Sequence, residues 1–149
     1  MSEASEQAEG FVNEVFRAAG FDLTATVKET AHGTVLNLKG DDSSLLLSEG
    51  GEVLDAMQHL VNQAFGRQLE EGSRFICDVE NFRATREAEL HAMANHAANR
   101  VRKTGLAFTF GPMNSNERRV IHLVLAEEED IATESVGDGP NRRLKVSLK

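Results

Sequence analysis

The chain has 149 residues, 40% of them hydrophobic, and a formal net charge of −8, so it can form one ordinary domain or two small ones. With eight Phe, no Trp and no Tyr, it offers few aromatic rings on which several nucleobases could stack. Its single cysteine, Cys77, excludes an intramolecular disulfide and a thiolate-rich metal site, and no apolar run approaches the ~20 residues of a membrane span.

The first half of the chain predicts the order helix, strand, strand, short helix, long helix, strand. Apolar residues recur at helical spacing in the helices and alternate with polar residues in the strands. The predicted segments are 7–19, 23–29, 34–39, 41–47, 52–65 and 74–79. His32 and Gly33 form the predicted hairpin turn, and residues 41–44 are expected to cap the short helix. The long helix is expected to bury a stripe of Val53, Leu54, Met57, Leu60, Val61 and Ala64.

The second half predicts a long helix, a short strand, another helix and two closing strands. The predicted segments are 81–103, 106–110, 116–126, 131–136 and 143–148. Ser115 is the expected cap of the second helix. Carboxylates oppose the helix dipole at a C-terminus, so the acidic run 127–130 is expected to lie beyond the helix end. The closing strands are expected to pair around the turn at 137–140.

The negative charge is concentrated in the first half of the chain. Residues 1–80 hold 5 Lys or Arg against 15 Asp or Glu, whereas residues 81–149 hold 11 against 9. Contacts with phosphates are therefore expected from the second half. The acidic N-terminus lacks the basic-then-apolar layout of a signal peptide, which predicts a cytoplasmic protein.

One motif in the second half indicates a chemistry. Arg118 and His122 are four residues apart, so on a helix they share one face. An arginine can form two hydrogen bonds to one phosphate, and a histidine can donate a hydrogen bond to a phosphate or stack on a base. Arg119 points about 100° away and could serve a neighbouring surface. From spacing alone, the alternative stays open that Arg118 pairs with Glu117 or Glu134 while His122 only packs.

Further basic residues follow the last turn of the chain. They are Arg142, Arg143 and Lys145. If the C-terminal strand folds beside the helix of Arg118 and His122, these residues would extend a positive strip. Arg83, Arg86 and the cluster at 100–103 are weaker candidates, because charges on a long helix usually solvate a face or pair with neighbouring glutamates.

The first half, with its tetrad Ser48-Glu49-Gly50-Gly51 between two helices, resembles a type II KH domain. In KH domains a Gly-x-x-Gly loop approaches phosphates closely, because its glycines have no side chains. Here Ser48 replaces the first glycine, and the Glu49 carboxylate would repel a phosphate at contact distance by on the order of 1 kcal/mol even in water. The loop is therefore degenerate, and packing or partner binding is the favoured role of the first half.

Ordered matches along the chain resemble the bacterial Jag (SpoIIIJ-associated) family, in which an R-three-H domain, named for its Arg-x-x-x-His signature, follows a type II KH domain. The matching stretches are 54–62, 78–87, 112–114 and 117–122. The resemblance implies an α+β fold with a KH-like α/β sandwich at 1–80 and a small α+β R-three-H domain at 81–149, the long helix 81–104 serving as connector. Full-length members often carry an extra N-terminal domain, which the resemblance leads us not to expect in this chain.

The resemblance implies binding of single-stranded nucleic acid, RNA ahead of single-stranded DNA, through the Arg118 and His122 half. An enzyme is not expected, because Cys77 falls in a strand core and the histidines at 32, 59, 91, 96 and 122 show no metal-ligand spacing. No cofactor or metal is expected. The alternative function is a protein-interaction module with slight RNA affinity, whose acidic half docks a small KH-only protein or another copy of the chain.

Overall fold

The computed structural model describes residues 1–31 and 33–149 and divides them into two compact units, Met1–Arg83 and Ala84–Lys149. Within these described residues, each unit packs helices against a three-stranded sheet and has its own hydrophobic core. The α+β fold class expected from the sequence is confirmed. His32, half of the predicted hairpin turn, lies outside the described residues. None of the helices in the described part of the chain combines the length and apolar character that a membrane crossing requires.

The first unit begins with a helix and a hairpin. Its elements are α1 (Glu3–Ala19), β1 (Thr24–Thr30), β2 (Gly33–Lys39), α2 (Ser43–Phe65), a 3-10 turn (Gly66–Gln68) and β3 (Phe75–Asp78). The strands lie in the order β1-β2-β3, with β1 antiparallel and β3 parallel to β2. Helix α1 begins one turn earlier than predicted, because the Ser2 hydroxyl accepts a hydrogen bond from Ser5 N at 3.1 Å and caps the helix.

Helix α2 is interrupted by the degenerate tetrad. Glu49, Gly50 and Gly51 have φ values of 53°, 71° and 86°, so the chain leaves the helix and resumes it one turn later, as the sequence predicted. At Gly51, where φ is also positive, a Cβ would lie 2.9 Å from the Phe82 ring, so any larger residue would force the ring to move. The N-cap residue is Asp42, within the predicted run 41–44, but its side chain makes no cap hydrogen bond; its carboxylate accepts one from Asp22 N at 2.6 Å instead.

Side chains of α1 close the outer edge of β1. Asn13 accepts a hydrogen bond from Ala25 N at 2.8 Å and donates one to Ala25 O at 3.1 Å. Glu9, one turn earlier, accepts a hydrogen bond from Val27 N at 2.8 Å. Two helix side chains thus replace the neighbouring strand that these backbone groups lack.

Helix α2 closes the outer edge of β3 in the same way. Asn62 accepts a hydrogen bond from Phe75 N and donates one to Phe75 O, both at 2.8 Å. Gln58 accepts a hydrogen bond from Cys77 N at 3.0 Å. The match is geometric: four helical residues rise about 6.0 Å and two strand residues about 6.6 Å, so an i, i+4 pair reaches alternate strand residues.

This edge closure explains an error in the predicted stripe of α2. Leu54, Met57 and Val61 are buried as expected, but Val53 and Leu60 are 44% and 51% exposed, and Ala64 is also exposed. Because the helix turns its Gln58 and Asn62 flank towards β3, the opposite flank moves out of the core.

The second unit contains most of α3 (Phe82–Thr104). Its remaining elements are β4 (Phe108–Thr109), α4 (Ser115–Leu125), β5 (Ile131–Val136), a 3-10 turn (Gly139–Asn141) and β6 (Arg143–Leu148). The strands are antiparallel in the order β4-β6-β5, which confirms the predicted pairing of the closing strands. Strand β4 is shorter than predicted, although Phe110 N and Met113 N continue the contact by donating to Leu144 O and Arg142 O.

Helix α4 has sharp ends. Its cap is Asn114, whose side-chain oxygen accepts a hydrogen bond from Glu117 N at 2.9 Å, so the prediction of Ser115 is wrong by one residue. The helix ends at Leu125 with Ala126 as its C-cap, so the acidic run at 127–130 lies beyond the helix, as predicted.

Replacing Asn62 by alanine is expected to destabilise the first unit by about 2 kcal/mol, because Phe75 N and Phe75 O lose their partners at the sheet edge. Urea unfolding followed by circular dichroism measures the loss. Gln63→Ala, at an exposed neighbouring position of the same helix, serves as control. Equal stability of the two variants would contradict the role assigned to this edge.

Candidate nucleic-acid interface

Helix α4 presents Arg118 and His122 on one flank. The helix buries Glu117, Ile121 and Leu125, which are spaced by four residues and face the core of the second unit. Arg118 and His122 each follow one of these buried residues, so both lie at the margin between the core and solvent. The helical face predicted from their spacing is therefore formed.

The Arg118 guanidinium is anchored at one nitrogen. Its Nη1 donates a hydrogen bond to the carbonyl oxygen of Met113 at 2.6 Å, in the segment just before α4. The side chain is half-buried, and Met113 itself is buried. A guanidinium carries five N–H donors, so this bond orients the group and leaves donors for a ligand.

His122 is exposed but held by its neighbour in the sheet. Its Nδ1 lies 2.5 Å from the hydroxyl oxygen of Thr133 on β5. This contact takes the ring nitrogen nearest the backbone and leaves Nε2 at the outer end of the ring.

Glu117 has a partner other than Arg118. This carboxylate, only 4% exposed, accepts a hydrogen bond from Nε of Arg86 on α3 at 2.8 Å. Arg86 Nη1 also donates to Glu89 at 3.0 Å. The hydrogen bond to Glu117 raises the pKa of the Arg86 guanidinium above its ordinary value. The bond from Arg118 goes to Met113 O, and the alternative of pairing with Glu117 is therefore disfavoured.

The acidic run after α4 is held by another arginine. Arg102 donates to both oxygens of Asp130 at 2.7 Å and to Glu128 at 3.1 Å. These hydrogen bonds raise the pKa of Arg102 and lower the pKa of the Asp130 carboxyl. In the first unit, Arg83 likewise binds Asp55 at 2.6 Å.

The ion pairs separate the basic residues into two groups. Within residues 84–149, all of which the structure describes, the salt bridges formed by arginine involve Arg86 and Arg102. None of these salt bridges within residues 84–149 involves a residue of the predicted site. The side chains of Arg119, Arg142 and Arg143 are exposed. Within residues 84–149, the arginines predicted for the site are thus distinct from those that form salt bridges.

The predicted C-terminal basic residues do not form one strip with α4. In β6, Leu144 and Val146 face the core, so Arg143 and Lys145 lie on the opposite face of the sheet. Thr133, which contacts His122, is opposite Val146 in register and thus on the core side. The expectation of a continuous strip is wrong for Arg143 and Lys145 because side chains alternate along a strand.

Arg142 is placed differently from its two neighbours. It precedes β6, and its carbonyl oxygen accepts a hydrogen bond from Met113 N at 3.1 Å. Met113 also anchors Arg118, so the backbone of Arg142 lies beside the Arg118 end of the flank.

The degenerate loop of the first unit brings carboxyl groups together. The Glu49 carboxyl raises the pKa of Glu52, because the protonated Glu52 carboxyl can donate a hydrogen bond to it and because two negative charges there repel one another, so these two carboxyls lie close together at the loop. Ser48 donates to Leu45 O at 3.3 Å. Two carboxylates at this loop would repel a phosphate at contact distance.

The Cys77 thiol is inaccessible to solvent. Cys77 is fully buried in β3, and burial raises the pKa of its thiol to about 12. The burial predicted for this thiol is observed. Among the described residues, no group of three or more His, Cys, Asp or Glu side chains could hold a metal ion.

Residues 88–148 match the family model of the R-three-H domain, and the match lies wholly within the second unit. The chain is also 34% identical over 146 residues to RNA-binding protein KhpB of Clostridium symbiosum, covering 97% of this chain and 66% of that protein. It is 30% identical over 146 residues to RNA-binding protein KhpB of Bacillus subtilis, covering 97% and 70%. The chain belongs to the KhpB family.

The family assignment confirms the R-three-H domain that the Arg-x-x-x-His motif indicated. The chain spans about two thirds of the length of these two KhpB proteins. RNA-binding protein KhpB of Lactiplantibacillus plantarum is 30% identical to the chain over 114 residues, which cover 76% of this chain and 35% of that protein. The names of these relatives describe binding to RNA rather than a reaction.

Sequence reasoning missed the residues that hold the motif in place. Thr133 and the Met113 carbonyl depend on tertiary contacts that spacing does not reveal. The sequence contains only a weak indication that Arg86 pairs with Glu117, namely that Arg86 is one of the few basic residues in the first turns of the long helix.

Replacing Arg86 by methionine is expected to destabilise this KhpB-family chain by about 2 kcal/mol, because the Glu117 carboxylate would stay buried without its partner. The double variant Arg86→Met with Glu117→Gln is expected to recover most of the loss. Urea unfolding checks both, with Lys103→Met on the exposed side of the same helix as control. No difference between Arg86→Met and the control would refute the role of the pair.

Proposed function

We propose that this chain binds single-stranded RNA through the flank of α4 that carries Arg118 and His122. The observation that carries the proposal is the anchoring of both side chains, to Met113 O and to Thr133, which leaves outward donors and an unneutralised guanidinium. The match to the R-three-H domain and the names of the KhpB relatives support RNA as the ligand.

The chemistry of the flank suits a phosphate backbone. The remaining N–H groups of Arg118 can bind two phosphate oxygens at once, and His122 can donate from Nε2 to a neighbouring oxygen. The two residues are spaced by about 6 Å along the helix axis. Contacts of this kind position a strand without reading its sequence, so weak base preference is expected.

The other predicted basic residues have graded roles in this proposal. Arg142 supplies charge at the Arg118 end, and Arg119 supplies it on the adjacent exposed surface of α4. Arg143 and Lys145, on the other face of the sheet, add long-range attraction rather than contacts on the same flank.

The first unit is proposed to be a type II KH-like domain, with the domain boundary near residues 80–81 and α3 as connector. The element order and the parallel pairing of β2 with β3 support this assignment. Its tetrad is not part of the proposed RNA site, because Glu49 and Glu52 concentrate negative charge there. The proposal includes no catalytic activity, and it includes the cytoplasmic location expected from the sequence.

A second candidate function belongs to the first unit. Val53, Leu60 and Ala64 form an exposed apolar stripe on α2, on a unit rich in acidic residues. Such a stripe suits docking of a small KH-only protein or of another copy of this chain. The names of the relatives favour RNA binding as the principal function.

The double variant Arg118→Ala with His122→Ala is expected to weaken binding to a fluorescent single-stranded RNA by about ten- to a hundred-fold, because charge-assisted hydrogen bonds are lost. The slope of log affinity against log salt should fall by about 1. Fluorescence anisotropy over a salt series measures both, with single-stranded DNA of the same sequence in parallel.

The matched control removes the same residue types from the first unit. Arg67 and His59 are both exposed there, so Arg67→Ala with His59→Ala should leave affinity within about two-fold. Equal losses in the two double variants would point to general charge rather than to the α4 flank. Unchanged binding by the Arg118 and His122 variant would refute the proposed site.

For the second candidate, Leu60→Glu is expected to abolish self-association or docking of a KH-only protein while leaving RNA affinity unchanged, because the charge cannot be buried in an apolar contact. Analytical ultracentrifugation of the chain, alone and with that partner, makes the measurement. Gln63→Glu on the same helix is the control. A chain that is monomeric and binds no such partner before substitution would refute this function.

A further inference from the structure

We propose that Thr133 is a positioning residue for nucleic-acid binding, whose hydroxyl donates to Nδ1 of His122 and thereby keeps an N–H donor on Nε2. This inference rests on the proposed function of the α4 flank. Its first support is distance: the hydroxyl oxygen and Nδ1 are 2.5 Å apart, so the two groups are directly hydrogen-bonded.

The location of Thr133 makes it a rigid support. It lies in the middle of β5, half-buried, and pairs with Val146 of the central strand β6. Threonine is branched at Cβ, which restricts its side-chain rotation in a strand. His122 is exposed on α4, where a histidine without a partner would rotate freely. The hydroxyl therefore supplies the restraint that the helix alone does not provide.

The proposed direction of this hydrogen bond sets which ring nitrogen carries the proton, because a hydroxyl can either donate to Nδ1 or accept from Nδ1–H. A neutral imidazole has one N–H and one acceptor nitrogen. When Thr133 donates to Nδ1, the proton of the neutral ring is on Nε2, which can donate to a phosphate oxygen. When the ring is protonated, Nδ1–H donates to the hydroxyl oxygen instead, and Nε2–H is still a donor. His122 is thus a phosphate donor in both states.

The second anchor of the flank completes the argument. Arg118 is bound to the Met113 carbonyl in the segment before α4, whereas His122 is bound to β5 after it. The two ligand groups are therefore fixed from different parts of the unit. Groups that are already ordered lose less conformational entropy on binding, so the support of Thr133 contributes to affinity without touching RNA.

The test compares Thr133→Val, which keeps the shape and removes the hydroxyl, with Thr133→Ser, which keeps the hydroxyl. Thr133→Val is expected to weaken single-stranded RNA binding by about three- to ten-fold, the effect of one lost hydrogen bond, and Thr133→Ser by less than about two-fold. Long-range proton–nitrogen NMR of His122, without RNA and with the ring neutral, should show Nε2–H in the unsubstituted protein and mixed tautomers in Thr133→Val.

A double-mutant cycle separates positioning from a purely structural role. In a His122→Ala background, Thr133→Val should cause no further loss of RNA affinity. Wild-type affinity in Thr133→Val, an equal loss in the His122→Ala background, or a neutral ring with its proton on Nδ1 would each overturn the inference. Failure of the proposed function is distinguishable, because there Arg118→Ala with His122→Ala leaves RNA binding unchanged, whereas the NMR signals still report the Thr133 contact.

Discussion

The ion pair between Arg86 and Glu117 is the contact on which the candidate interface depends. Glu117 sits in the first turn of α4 and is buried, so its carboxylate needs a partner inside the unit, and α3 supplies it. The pair, together with the buried Ile121 and Leu125 on the same face, therefore sets the rotation of α4 about its axis. Arg118 and His122 follow the buried positions by one residue, and that rotation alone places them where Met113 and Thr133 can hold them.

Most elements and the Arg118–His122 face were predictable from sequence because they depend on local spacing. The buried stripe of α2 was not predictable in this way. Val53 and Leu60 are apolar but exposed, because the helix turns Gln58 and Asn62 towards the edge of β3, and sequence periodicity does not show that strand edge. The positive strip failed for a related reason. Arg143 and Lys145 adjoin the site in sequence, but the strand directs them to the other face. The predicted N-cap of α4, Ser115, lies one residue after the observed N-cap, Asn114, and helix boundaries inferred from sequence commonly shift by a residue.

The arginines of the second unit divide between architecture and ligand binding. Arg86 and Arg102 are tied to carboxylates and hold α3 to the segments that follow it. This pairing engages the Glu117, Glu128 and Asp130 carboxylates, while the Arg118 guanidinium donates to the Met113 carbonyl. A chain with a formal charge of −8 can still carry unpaired arginines on the surface of residues 84–149, because Glu117, Glu128 and Asp130 are bound by Arg86 and Arg102.

The closed edges of the first sheet limit how that unit can associate. Since Glu9 and Asn13 cover one edge and Gln58 and Asn62 cover the other, the backbone groups at those positions cannot accept an incoming strand. Partners that dock by extending a sheet are excluded there, as is the stacking of chains into strand-templated aggregates. A protein that docked at these positions would have to contact side chains rather than a free strand edge, so single substitutions of surface residues could change its binding without unfolding the sheet.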